Sequence, residues 1–300
     1  MDDVTKSHYE HTFEIAFLKA KGDAFQTLFE QLMGKAHPAD FIPCRPWGNV
    51  GDRKNDGYLA SERTLFQVYA PNEMTAANAI SKIDEDFTGA LPHWKQHFDK
   101  WVFVHNAHDG LSPQIISKLL ELKQKHSPLE ITHWSLEELR QRLHRIPLDG
   151  LQMMFGYAPT DIAKRNLTVA ELEAVLKHIA QTNPQTGESP RPVPTGKIEA
   201  NGLSENVATL LKAGMEKAEI VERFFDCWHD PQYGDRLAAA FRGKYIELRE
   251  QSPKLSPDEI FHELHIWAGS SWANSSALHV AVLAALAFFF EQCEIFEAPR

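Results

Sequence analysis

The sequence predicts a mixed α/β domain over residues 1–147, a small sheet flanked by helices, and an all-α domain over residues 148–300. Three observations carry this. Short runs of β-branched and aromatic residues alternate with helical spacings up to about residue 134. No such strand run recurs after about Leu148. Residues 181–196 are rich in Pro, Thr, Gln and Gly, the composition of a linker.

The elements follow in order. Phe25, Leu28, Phe29 and Leu32 recur at helical spacing, which predicts a helix over 23–33 with Gly34 as its stop. Pro38, Pro43 and Pro46 then mark a loop, which runs into the turn-forming residues 48–57. Residues 58–60 and 64–70 read as two strands joined by Ser61-Glu62-Arg63, a hairpin. Ala76, Ala79, Ile80 and Ile83 predict a helix over 75–87. Trp101-Val102-Phe103-Val104 is a short apolar strand ending at His105-Asn106. Ser112-Pro113 opens the next helix with a serine cap and proline at its first position. A last strand covers 129–134, and Ser135 caps the helix that begins Leu136-Glu137-Glu138. Beyond that, helices are expected over 168–180, 204–228, 233–250, 256–267 and 275–293.

Bulk properties narrow the function. The 300 residues are 43% hydrophobic and 24% charged, ordinary for a globular chain. The net charge of −10 argues against broad, charge-driven binding to nucleic acid, though a local basic groove is compatible with it. Cys44, Cys227 and Cys293 form no CxxC pair, so neither a disulfide framework nor a structural zinc site is expected. The opening Met1-Asp2-Asp3-Val4 has no secretory character, and the expected setting is the reducing cytoplasm. The apolar run 277–290 is short for a bilayer and contains His279, so it reads as a buried core helix. No Walker A loop and no G-x-S-x-G elbow is present.

Chemistry concentrates in the hairpin. Gln67 and Tyr69 stand two apart on one strand and share a face, and the hairpin brings Asp56 beside them. A carboxylate with a second oxygen ligand suits Mg²⁺, which activates water and stabilises charge on an attacked phosphate. The same Gly-Asp-x-x-Asn-Asp-Gly is also how an ordinary hairpin loop looks, because Asn, Asp and Gly favour turns.

These residues resemble the PD-(D/E)XK nucleases, which place an Asp at the start of one strand and (E/Q)-x-K on its neighbour. Gly48-Asn49-Val50-Gly51-Asp52 leads to Asn55-Asp56-Gly57, and Gln67-Val68-Tyr69 follows. The resemblance implies a restriction-endonuclease-like fold. It gives Asp56 and Gln67 as Mg²⁺ ligands and Glu30, on the preceding helix, as the accessory acid. Tyr69 departs from the pattern, since it stands where the lysine belongs and a phenol does not replace an ammonium. Lys82 is the first candidate to supply the missing cation and Lys54 the second.

A wider resemblance rests on Phe66-Gln67-Val68-Tyr69-Ala70-Pro71, Lys82-Ile83-Asp84-Glu85-Asp86-Phe87 and Trp101-Val102-Phe103-Val104-His105-Asn106. In the distal half it rests on residues 197–204, Lys197-Ile198-Glu199-Ala200-Asn201-Gly202-Leu203-Ser204, and on 288–297, from Phe288 to Glu297. These look like effector proteins of bacterial ABC-ATPase three-component conflict systems. What that implies is antiphage or anti-plasmid defence by a cytoplasmic Mg²⁺-dependent endonuclease acting on nucleic acid, DNA first. Its implied partners are an ABC-type ATPase and a small middle component, and its implied distal half is a helical interaction domain in an oligomeric assembly. Tyr69 keeps a second expectation open, an assembly or sensor subunit without catalysis. A nucleic-acid-binding regulator is a third, and it would need a basic patch that the sequence does not show.

Other motifs favour plainer readings. His93 and His97 have a zinc-compatible spacing on an expected helix but no third ligand, so solvated histidines are expected. His262-Glu263-Leu264-His265 has the wrong spacing for a zincin and reads as amphipathic packing and surface charge. His105-Asn106 and His108-Asp109 follow a strand end and read as a polar loop. Trp228, Trp267, Trp272, Phe288, Phe289 and Phe290 read as a helical core.

Overall fold

The computed structural model describes residues 1–45, 53–182, 196–292 and 294–298, so Gly48, Gly51, Asp52, Cys293 and nearly all of the expected linker lie outside the described residues. The chain forms two compact units, Phe13–Met154 and Met1–Thr12 with Phe155–Arg300. The expected division fell after residue 147; the units divide after Met154, and residues up to Thr12 group with the helical unit.

The first helix, α1 (Asp3–Lys19), is absent from the expectations. Its buried residues are Val4, Tyr9, Phe13, Ile15 and Phe17, together with Thr5, Ser7, His8 and His11. The buried polar residues interrupt the apolar stripe by which such a helix is read. Helix α2 (Asp23–Ala36) buries Phe25, Phe29, Leu32 and Met33, as the spacing predicts, and continues through Gly34.

Strand β1 (Phe41–Pro43) lies where a proline loop was expected. It is an edge strand, where a residue without an N–H is tolerated. Strands β2 (Gly57–Leu59) and β3 (Thr64–Tyr69) are the expected hairpin. Strand β4 (Lys100–His105) follows helix α3 (Ala76–Trp94), and β5 (Glu130–Trp134) follows helix α4 (Pro113–Lys125). Among the described residues these make one five-stranded sheet in the order β1-β2-β3-β4-β5. Its β1–β2 and β2–β3 pairs are antiparallel, and its β3–β4 and β4–β5 pairs are parallel.

Odd-numbered residues of the sheet, Leu65, Trp101, Phe103 and Ile131, pack against Ile83 and Phe87 of α3 and Leu119 of α4. On the other face Phe66 meets Phe29, Phe41 and Trp134 at ring-centroid distances of 5.4, 6.3 and 4.9 Å. Each such fully buried phenylalanine contributes roughly 2–3 kcal/mol. Helices α5 (Leu136–Leu143), capped by a Ser135–Glu138 box, and α6 (Leu148–Phe155) follow.

The helical unit holds no strand among the described residues. It continues through α7 (Asp161–Arg165), α8 (Val169–Thr182), α9 (Lys197–Ala200) and α10 (Glu205–Met215). The expected single helix over 204–228 is broken after Met215, and α11 (Ala218–Cys227) is separate. Then come α12 (Tyr233–Arg249), α13 (Pro257–His265) and α14 (Ser276–Glu291). Helix α14 is buried on nearly all sides, and Gly214 lets α10 meet it: a Cβ there would lie 2.3 Å from the Leu283 carbonyl oxygen. Among the described residues no helix is long and apolar enough to cross a membrane.

Candidate active site of the sheet unit

The β2–β3 register pairs Gly57 with Phe66, which sets Asp56 level with Gln67 at the end of the hairpin. Asp56 is 5% exposed. Its backbone N–H donates to the Phe66 carbonyl at 3.0 Å, and its Oδ2 accepts from the Val68 N–H at 2.7 Å. The carboxylate therefore closes the last rung of the ladder as well as being available to chemistry. Gly57 has a packing cause too. A Cβ there would meet the Phe41 ring at 2.5 Å, so part of the Asn-Asp-Gly signal belongs to the close approach of β1.

Helix α2 brings Glu30 to the same place. The Gln26 amide Nε2 lies 3.2 Å from Glu30 Oε1 and 3.4 Å from Asp56 Oδ1, so both carboxylates face one shared donor. Arg45 pairs with the other oxygen of Glu30, through Nε at 3.1 Å and Nη2. Gln67 is 4% exposed, and its Oε1 is buried with no hydrogen-bond partner among the described residues. An acceptor without a donor in a buried position is uncommon and calls for a partner.

These donors fit a hard cation. Glu30, Asp56 and Gln67 offer oxygen only, and Gln67 offers one that nothing else uses. Among the described residues no three His, Cys, Asp or Glu converge as a cage. A cation here would rest on the two carboxylates and water, with the Gln67 amide oxygen the next acceptor in register.

The lysines lead elsewhere. Lys54 Nζ lies 3.1 Å and Lys82 Nζ 3.0 Å from Asp86 Oδ1, and Lys54 also pairs with Glu85. Asp86 is fully buried on α3. Burial lifts its carboxyl above the ordinary range even with two ammonium groups on it. Arg53 and Lys54 both take positive φ, 54° and 62°, a costly backbone that aims this loop at α3. Tyr69 stands at the expected lysine position, half-buried, with its ring 5.9 Å from that of Phe103.

The loop after β4 is structural. Asn106 Nδ2 donates to the carbonyls of Ala20 and Pro71 at 3.4 and 3.3 Å. The Ala107 N–H donates to His105 Nδ1 at 3.2 Å, so the His105 proton sits on Nε2 and faces His133 Nδ1 at 3.1 Å. Burial pushes His105 down to about 3, which keeps it neutral. His93 lies in the last turn of α3 while His97 lies beyond it, so the two do not share a helix as expected.

Sequence reasoning missed Gln26, Arg45 and Asp86. Gln26 lies four residues before Glu30, one turn along the helix, and that spacing is a usable signal. Asp86 carried none.

In the helical unit the surprise is histidine. His8, His11, His265 and His279 are each 5% exposed or less. The His8, His265 and His279 rings lie 5.5–6.0 Å apart, and His11 lies 5.5 Å from His262. Burial holds all four well down, His11 at about 3 and His279 at about 4. His265 thus belongs to a core rather than to a charged surface, with His262 half-buried beside His11.

The two distal segments that carry the wider resemblance meet in space. Lys197 Nζ donates to the carbonyls of Phe290 and Ile295, each at 2.7 Å. Asn201 Nδ2 donates to the Glu297 carbonyl at 2.8 Å, and the Glu297 N–H returns a bond to Asn201 Oδ1 at 3.0 Å. A buried ammonium thus closes the end of α14.

Residues 170–297 match the family model for C-terminal domain 10 of the ABC-three component (ABC-3C) systems. This region is therefore placed as the C-terminal domain of an ABC-three-component system protein, a placement consistent with a defence-related role. No curated protein and no solved structure matches the chain.

Proposed function

We propose that this protein of an ABC-three-component system is a defence effector whose sheet unit is a divergent, Mg²⁺-dependent nuclease of the PD-(D/E)XK type. The observation that carries the reading is the convergence of Glu30 and Asp56 on one donor, with Asp56 level in register with Gln67, whose Oε1 is buried and unpartnered among the described residues. The order helix, antiparallel hairpin, helix, parallel strand supports it. When bound, Mg²⁺ would supply water activation and charge neutralisation at a phosphodiester. Glu30 and Asp56 would hold it, Gln67 would orient it, and Val68 N–H would fix the Asp56 carboxylate. The helical unit would engage the ATPase and the small middle component of the same system.

The test compares the intact chain with Asp56→Asn on plasmid DNA and on RNA, with Mg²⁺, alone and with its partner components. Asparagine still accepts from Val68 N–H, so the fold is retained while the charge is lost. Cleavage by the parent chain and a loss of at least about a hundredfold in the variant are expected, since one metal ligand is worth several kcal/mol. Equal cleavage by both sinks the assignment.

The convergence of Lys54 and Lys82 on Asp86 and the presence of Tyr69 favour one second reading, an assembly or sensor subunit without catalysis. It predicts no cleavage with any partner, and complexes unaltered by Asp56→Asn.

A further inference from the structure

Helix α11 borders a cavity of about 260 Å³ with an aromatic floor and an acidic rim. The floor is Phe225, Phe288 and Phe289, with ring centroids 5.3–6.1 Å apart. Phe225 and Phe288 are only half-buried, so ring surface remains open to a ligand. Gly234 keeps it open: a Cβ there would sit 3.5 Å from the Phe225 ring. The rim is Glu222, Asp226 and Asp235. No basic residue is among the described residues that line the cavity, and none of the three carboxylates has an ion-pair partner among the described residues.

That electrostatic arrangement is unfavourable to the chain alone. Glu222 and Asp226 stand four apart on one helix, where like charges repel. Asp226 also lies in the last turn of α11, against the negative end of the helix dipole. Asp235 needs no such account, because an acid suits the first turn of α12. A cation over the rings would resolve the first two. Aromatic faces attract cations, and guanidinium does so while stacking flat and bonding carboxylates in pairs. The volume is below the roughly 300–1,000 Å³ of small-molecule sites, and it suits one side chain.

We propose that this cavity receives an arginine side chain presented by a partner polypeptide. The surface is independent of the nuclease reading and stands if that reading fails.

The test titrates the full chain, carrying ¹³C-labelled phenylalanine, with N-acetyl-Gly-Arg-Gly-amide. The same peptide with citrulline, which keeps the shape and loses the charge, is the comparison, and free arginine is a third arm. Saturable shifts of Phe225 and Phe288 are expected with the arginine peptide and none with the citrulline peptide. Free arginine should bind more weakly, because the rim repels its carboxylate. Glu222→Gln with Asp226→Asn should weaken binding roughly tenfold, about 1.4 kcal/mol. Gly234→Ala, a benign change in a helix, should weaken it by covering the ring. Circular dichroism of both variants should match that of the parent chain. Absence of saturable shifts, equal binding of the citrulline peptide, or full binding by both variants would overturn the proposal. Tighter binding of free arginine would overturn the choice of a polypeptide as its source.

Discussion

The sheet unit supplies donors to its buried carboxylates, whereas the helical unit buries four histidines by the means the sheet unit uses for His105, neutrality. In the sheet unit Asp56 and Asp86 are given donors: Val68 N–H and the Gln26 amide for one, two ammonium groups for the other. In the helical unit His8, His11, His265 and His279 give up their charge and pack as neutral rings. Chemistry is to be sought at the carboxylates. A carboxylate supplied with donors stays poised for a cation, whereas an imidazole held neutral by burial is core, in spite of the zincin-like look of His262 to His265.

The largest expected effect breaks the comparison by pH. The four histidines bind protons near 6.5 when unfolded and much lower when folded, so the unfolded chain binds more protons as pH falls. Stability is full above about pH 6.5 and is lost below it, at about 1.4 kcal/mol per pH unit for each histidine down to its folded value. Four together remove roughly 5 kcal/mol per pH unit, against a typical total of about 5–15. Melting curves from pH 7 to 4 should show unfolding before pH 4, and His279→Leu should flatten the dependence by one histidine's share. A melting temperature unchanged from pH 7 to 5 would show that burial does not hold these rings neutral.

A smaller effect tests another device of the helical unit, the Lys197 amine that meets two carbonyls at 3% exposure. Lys197→Met strands the Phe290 and Ile295 carbonyls and should cost about 2–4 kcal/mol in urea unfolding. A cost below about 1 kcal/mol would mean that the ammonium does not hold the end of α14.

The smallest concerns Asp86. Lys54 and Lys82 are 30% and 32% exposed, so water recovers them when the carboxylate is removed. Asp86→Ala should therefore cost only about 1–2 kcal/mol. A loss above about 3 kcal/mol would show that the lysines are trapped, and that the sheet unit depends on this charge cluster as heavily as the helical unit depends on Lys197.

Much of the sheet was legible because alternation and turn chemistry are local. Thr64 to Tyr69 and Trp101 to Val104 read as strands from their own residues. Strand β1 was not legible, since Phe41-Ile42-Pro43 becomes a strand only by pairing with Gly57 to Leu59. Helix α1 was not, because buried histidines and threonine interrupt its apolar face.

Local spacings alone put Asp56 just ahead of one strand and Gln67 on its neighbour, Glu30 on a preceding helix, and helices throughout the second half. Only the tertiary structure decided which groups meet. It brought Glu30 to Asp56 through Gln26, took Lys54 and Lys82 to Asp86, and clasped Lys197 to the end of α14. A long side chain reaches across elements in many directions. Its partner is selected by burial and by which carbonyl or carboxylate would otherwise go unpaired, and neither is written in local spacing.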